Sequence, residues 1–220
     1  MESTDNPVLR LVGGHTGLDL VNTVEPRVPG GTPEKEHLGT PQELLDWAVR
    51  TGVVEPHEAP DIQLTWSGEQ ALAAALALRE ALYTVLAVRL DEELKPKLPY
   101  QSALEQLGTR YSAAVARAGV TLAFDSPTAG RLQIGDVAPF AIQDRLAAIA
   151  VDLLTTENVA DLRVCPLEEG GCGWLFLDRS RNHSRRWCAM ADCGARVKAR
   201  RLNDRRRGRQ LPPNSITMGA

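Results

Sequence analysis

All four cysteines fall between residues 165 and 193, in two pairs, Cys165/Cys172 and Cys188/Cys193, with fifteen residues between the pairs. No other feature limits the fold so strongly. Four thiolates at such short separations suit one tetrahedral Zn²⁺. The metal gives a small segment the cohesion that its few apolar residues lack. Two disulfides or free thiols are the other readings. The polar, acidic start MESTDNPVLR carries no signal-peptide pattern, and bunched pairs in a chain expected in the cytoplasm favour metal. His183 is a rival ligand, but it sits in a turn among basic neighbours, and four cysteines already fill the shell.

Between the pairs, Trp174-Leu175-Phe176-Leu177 is a short apolar run, Asp178 to Ser184 is polar and turn-prone, and Arg185-Arg186-Trp187 leads into Cys188. This predicts strand, turn, strand. The residues after Cys193 favour helix, and Met190, Cys193 and Val197 at i, i+3 and i+7 share one face. The expected order is knuckle, hairpin, helix, with the last ligand in the first helical turn, as in a treble-clef finger.

Charge separates sharply along the chain. From Arg179 to Arg209 there are twelve Arg or Lys and two acids, whereas the whole chain carries −3, so the remainder carries −13. Arginine makes bidentate contacts to phosphate and reads guanine edges. The cations expected to meet nucleic acid are Arg179, Arg181, Arg185, Arg186, Arg196, Lys198, Arg200, Arg201, Arg205, Arg206 and Arg207. The alternatives are a docking face for the acidic part of the same chain, or a solvated tail.

The text CGWLFLDRSRNHSRRWCAM followed by CGARVKAR resembles the CGNR-type zinc finger of bacterial proteins, a family of transcription regulators with the finger as their DNA-binding part. The resemblance carries the metal ligands onto Cys165, Cys172, Cys188 and Cys193. It also singles out Trp174, Phe176, Asp178, Ser180, Arg185, Arg186 and Trp187. Two departures stand out: Ala195 replaces the asparagine of the eponymous motif, and the LEEGG loop lengthens the first knuckle. Upstream, GLDLVNTV followed by Arg27 resembles the start of the ABATE domain, a stress-response or sensing module. The resemblance marks Asp19, Asn22, Thr23 and Arg27 as the corresponding polar residues of that domain and names no ligand. Read from the residues alone, an Asp and an Asn three apart share a helical face, and two readings stay open: a small-molecule effector site, or local capping of the backbone.

The chain has 220 residues, 43% of them hydrophobic, enough for one large or two small domains with a true core. No stretch is expected to span a membrane, because Arg79 and Glu80 interrupt the longest apolar run. Gly13, Gly14 and Gly17 lack the spacing of a dinucleotide fingerprint. Thr40, Pro41 and Glu43 predict a capped helix start with Leu44, Leu45, Trp47 and Ala48 buried, ended by Gly52. Ser67, with Gln70 three residues on, opens the longest helix, over which Arg79 is expected at the surface beside Glu80. A helix over 100–118 is expected to bury Leu104, Leu107, Tyr111, Val115 and Ala118. Val120–Phe124 and Arg131–Ile134 predict a hairpin around Asp125–Gly130. A helix over 139–155 and an extended Val159–Val164 follow.

The resulting fold class is α+β: a mainly helical N-terminal domain with a small β-hairpin (1–157), a treble-clef-like zinc finger with a basic helix (158–210), and a flexible tail (211–220). The short linker predicts a finger packed on the helical domain. The expected function is a DNA-binding transcription regulator, with duplex DNA and an effector as partners and a homodimer to double the interface. An RNA-binding or protein-interaction module with a structural zinc is the alternative. No enzyme is expected: four cysteines leave no open metal position, HExxH and GxSxG are absent, and the spacing of His15 and Asp19 makes no acid–base site.

Overall fold

The computed structural model describes residues 9–122 and 130–209. Residues 123–129, which hold the end of the expected strand Val120–Phe124 and most of the expected turn Asp125–Gly130, lie outside the described residues, as do the tail 211–220 and the side chains of Arg205, Arg206 and Arg207. The order is α1 (Thr16–Val21), β1 (Val24–Glu25), β2 (Lys35–Glu36), α2 (Pro41–Arg50), α3 (Ala59–Thr65), α4 (Gly68–Leu90), α5 (Tyr100–Arg117), β3 (Gly119–Leu122), β4 (Gly130–Gln133), α6 (Ala141–Thr156), β5 (Leu162–Val164), β6 (Leu175–Leu177) and α7 (Ala195–Arg209). The strands make three separate antiparallel pairs, β1–β2, β3–β4 and β5–β6. The mainly helical domain with small hairpins, followed by a cysteine-bearing segment, is the architecture expected.

The organising element is α4. By length and apolar content its 23 residues qualify as a membrane span, so the expectation that Arg79 and Glu80 rule this out does not hold. Its faces are covered by protein: α1, α2, α5 and α6 pack on it, and Leu78, Leu82 and Leu86 are buried. A helix apolar on every side is what a central core helix requires. Ser67 stands at its N-cap without donating or accepting a capping bond. In α2, by contrast, Thr40 accepts from Glu43 N and the Glu43 carboxylate reaches back to Gly39 N.

Arg79 is buried, not at the surface. Its guanidinium takes both oxygens of Glu36 at 2.7 and 2.8 Å, bonds Glu80 through Nε at 2.8 Å and donates to Thr23 Oγ1. Burial disfavours its charge, but the flanking carboxylates outweigh burial and raise its pKa. The pair ties α4 to β2, a strand inside the Pro- and Gly-rich stretch Pro26 to Gly39, which reads as loop. In α5 the buried residues are Ala103, Leu107 and Ala114; Leu107 is buried as expected, but Leu104, Tyr111 and Ala118 are only half-buried and Val115 is exposed. α5 packs on α4 and α6, and two of its three buried residues are the small Ala103 and Ala114.

Arg145 on α6 donates to both oxygens of Glu58 at 2.6 Å, and to the Val53 and Gly135 carbonyls. That hydrogen bonding holds the Glu58 pKa down to about 2, against an ordinary 4.5. A depressed carboxylate contributes stability above its unfolded pKa and loses it as pH falls through the folded one. Glu58→Gln should therefore cost about 1–2 kcal/mol at pH 7, after discounting for partial exposure, with the gap to wild type closing between pH 4.5 and 2. Urea melts of the two proteins at several pH values measure it; a gap independent of pH would exclude the pair as its source.

Candidate metal centre and basic face

The strand β6 positions everything in the C-terminal segment. Leu175, Phe176 and Leu177 are all buried, although a strand normally alternates. One edge pairs with β5, in the register Leu162↔Leu177, Arg163↔Phe176 and Val164↔Leu175. The other edge is taken by the helical domain. Asn22 donates Nδ2 to Leu175 O at 2.8 Å and accepts from Leu175 N at 2.9 Å, and Leu177 N donates to Gly13 O at 2.8 Å. With both edges occupied, no edge is free for residues 185–187, so the expected strand–turn–strand does not form. The hairpin is β5–β6, and the knuckle is its turn.

Residues 178–185 form a loop around Asp178. This buried carboxylate accepts from Ser180 Oγ at 2.6 Å, Ser180 N at 3.0 Å and Arg185 N at 2.9 Å. The Ser180 hydroxyl first, then the backbone amides, hold its pKa below the usual carboxylate range. Arg185 lies over the Phe176 ring at 4.4 Å and donates to the carbonyls of Trp187, Val12 and Cys188. Trp174 donates Nε1 to Val24 O at 2.7 Å. Most of the signature positions thus clasp the segment to itself and to the helical domain.

The four cysteines converge. Their sulfurs all lie within 4.8 Å of one another, the side chains are buried, and none is disulfide-bonded. Cys172 and Cys188 are separated by 3.4 Å, Cys188 and Cys193 by 3.7 Å. A tetrahedral ion with metal–sulfur bonds of about 2.3 Å spaces its sulfurs about 3.8 Å apart. The spacing fits that ion and is far beyond a disulfide bond of about 2.05 Å. Thiol hydrogen bonds from the other three cysteines draw Cys165 well below the ordinary thiol range, while the same contacts push Cys172 up. Four thiolates at these distances would repel one another without a cation between them. The cluster is a metal-binding site with a cysteine ligand for each of four tetrahedral positions.

The lengthened knuckle is feasible because Gly171 lets the chain fold over the cluster: a Cβ there would lie 2.7 Å from Cys165 Sγ. Gly173, at φ 76, is held against the Arg27 carbonyl, 1.9 Å from where its Cβ would stand. Cys193 sits in a π-helical turn, Met190–Gly194, that feeds α7. The wide turn shifts the helical phase, so Cys193 and Val197 point inward while Met190 is 71% exposed; the expected shared face holds for two of the three. Ala195 opens α7 from the surface.

Family models match two segments. Residues 162–206 match the CGNR zinc finger. Residues 14–157, well over half of the chain, match ABATE, described as a putative stress-induced transcription regulator. The chain belongs to the ABATE family. Among curated proteins no relative matches it. Neither matched description is that of an enzyme, and the closed cysteine shell agrees with them.

The polar residues of the ABATE start lie inside the protein. Asp19 accepts from Gly13 N at 2.8 Å, and burial raises its pKa despite that bond. Asn22 holds β6, and Thr23 donates to Leu20 O and accepts from Arg79. Arg27 donates its backbone amide to Cys172 O, binds Glu80 at 2.9 Å and lies 4.1 Å over the Tyr83 ring. Burial lowers its pKa and raises that of Tyr83 to about 12. Asn22 and Arg27 bond the finger backbone at the seam between the ABATE domain and the CGNR finger, whereas Asp19 and Thr23 bond groups upstream of the finger. His15 caps α1 through Nδ1 and meets Asp152 through Nε2.

The basic residues divide into two sets. Arg185 is turned inward. Arg179, Arg181, Arg186, Arg196, Lys198, Arg200 and Arg201 are exposed on the CGNR finger. Arg179 pairs with Glu157, and Arg196 lies 3.6 Å from Glu25. Sequence spacing missed two features: Glu169, where three arginines meet, and a cleft of about 190 Å³ beside the cluster, lined by Cys172, Cys188, Cys193, His37, Lys35 and Arg196. Both depend on which loops the fold brings together.

Proposed function

We propose that the chain is a DNA-binding transcription regulator of the cytoplasm whose finger is fixed by a structural Zn²⁺. What supports zinc is the set of four buried cysteines at tetrahedral spacing, a closed shell with no position for water. What supports nucleic acid is the row of exposed cations on that metal-held segment, in a chain whose remainder carries −13. Zinc and the Asp178 loop hold the finger rigid, and its arginines meet backbone phosphates. Asn22 and Arg27 bond the finger backbone from the helical side, so a small-molecule effector that disturbs this seam would shift the finger relative to its domain. A homodimer would present two fingers to two half-sites.

The reading is tested by anisotropy of a labelled duplex of random sequence, titrated with zinc-loaded protein between 50 and 200 mM salt. The variant Arg181→Ala/Arg196→Ala/Lys198→Ala should bind more weakly, with a salt slope lower by about 2 to 3, the share of two or three phosphate contacts. An unchanged slope puts the nucleic-acid surface elsewhere. Tighter binding to single-stranded RNA than to duplex would move the RNA module to the front.

A further inference from the structure

We propose that Arg186, Arg200 and Arg201 form one phosphate-binding subsite, and that Glu169 occupies it in the free protein. The inference rests on the DNA-binding reading and adds its built-in competitor. Glu169 lies in the LEEGG loop that lengthens the knuckle. Its Oε1 accepts from Arg186, its Oε2 from Arg201 at 2.8 Å, and its main-chain carbonyl from Arg200. Three guanidinium groups from two separate segments, the loop before Cys188 and helix α7, thus converge on one residue. Two acceptor oxygens held by two arginines is also the arrangement that a backbone phosphodiester presents to such a pair.

The exposures set the direction of exchange. The Arg186 and Arg201 side chains are 60% and 58% exposed, whereas Glu169 is 18% exposed. The guanidinium groups are open to an incoming strand and the carboxylate lies beneath them. Exposed ion pairs hold weakly, while a polyanion gains from the counterions it releases when its phosphates are neutralised. Duplex DNA therefore displaces Glu169, and the displacement lowers affinity relative to a finger without the carboxylate. Gly170 gives the loop its reach: at φ 91 it sits against the Arg200 guanidinium, where a Cβ would collide.

The test uses the zinc-loaded full chain and a 20-base-pair duplex. Glu169→Gln keeps size and hydrogen bonding and removes the charge; its metal content and melting temperature establish that the finger is intact. The variant should bind roughly three- to tenfold more tightly at about 100 mM salt, with a slope steeper by about 0.9, one added phosphate contact. In an Arg186→Ala/Arg201→Ala background the same substitution should change nothing, since its partners are gone. Binding by both proteins with equal or weaker affinity for Glu169→Gln would overturn the competitor and leave the DNA reading standing. No binding by either protein would overturn both.

Discussion

Replacing Cys188 with serine should empty the metal site and unfold more than the finger. The four sulfurs form one closed set, and a serine hydroxyl does not supply the fourth soft anionic ligand. Structural zinc contributes about 10–16 kcal/mol of apparent folding free energy in isolated finger peptides at neutral pH. A loss on that scale is as large as the whole net stability of a typical domain, about 5–15 kcal/mol. Cysteine spacing alone suggests that the damage stays within the finger. The packing argues otherwise, because Leu175, Phe176 and Leu177 are fully buried in the same core as Leu18, Leu20 and Leu82. Releasing β6 uncovers that core. The expected result is one metal per wild-type chain by elemental analysis and almost none in Cys188→Ser, with a lower melting temperature and lost protection of α1 amides in hydrogen exchange. A serine variant that binds zinc with unchanged affinity would remove Cys188 from the ligand set.

The second large effect concerns Asn22. Its carboxamide substitutes for a strand at the open edge of β6, matching one N–H and one C=O of Leu175 at 2.9 and 2.8 Å. Asn22 is 1% exposed, so water has no ready route to the vacated groups. Asn22→Ala leaves both backbone groups buried without partners, at about 1–3 kcal/mol for each orphan, and should cost about 2–6 kcal/mol in all. Asn22→Asp should be no better. It keeps an acceptor for Leu175 N–H but sets a carboxylate oxygen against the Leu175 carbonyl, and burial of that charge adds a further cost. Urea unfolding monitored by tryptophan fluorescence measures both, because Trp174 lies one residue from the clamp. A cost under about 0.5 kcal/mol would mean that the β6 edge is solvated and the seam is loose.

These effects show where sequence patterns were informative. The four ligands were legible because metal chemistry restricts residue type and spacing together. The α2 start was legible because Thr40, Pro41 and Glu43 act within one turn. Arg79 was misplaced because a charged residue beside Glu80 on a helix reads as surface, and its partner Glu36 lies 43 residues away. The missing second hairpin has the same cause. Residues 185–187 carry strand-like text, but whether they pair depends on the β6 edge, which Asn22 and Gly13 occupy from the far end of the chain. Asp19, Asn22, Thr23 and Arg27 stand out as a polar group, and the bonds of Asn22 and Arg27 to the finger required the fold. Glu169 gave no local signal: only the approach of α7 to the knuckle brings Arg200 and Arg201 to it. Local chemistry is legible in sequence, and long-range partners are not.

The most direct test of the central claim is selection from pooled random duplex DNA with purified zinc-loaded protein at moderate salt, followed by sequencing of the bound fraction. The account predicts a clear enriched site, two-fold symmetric where a homodimer presents two fingers. Weak, salt-sensitive retention with no enriched sequence would contradict a sequence-specific DNA reader.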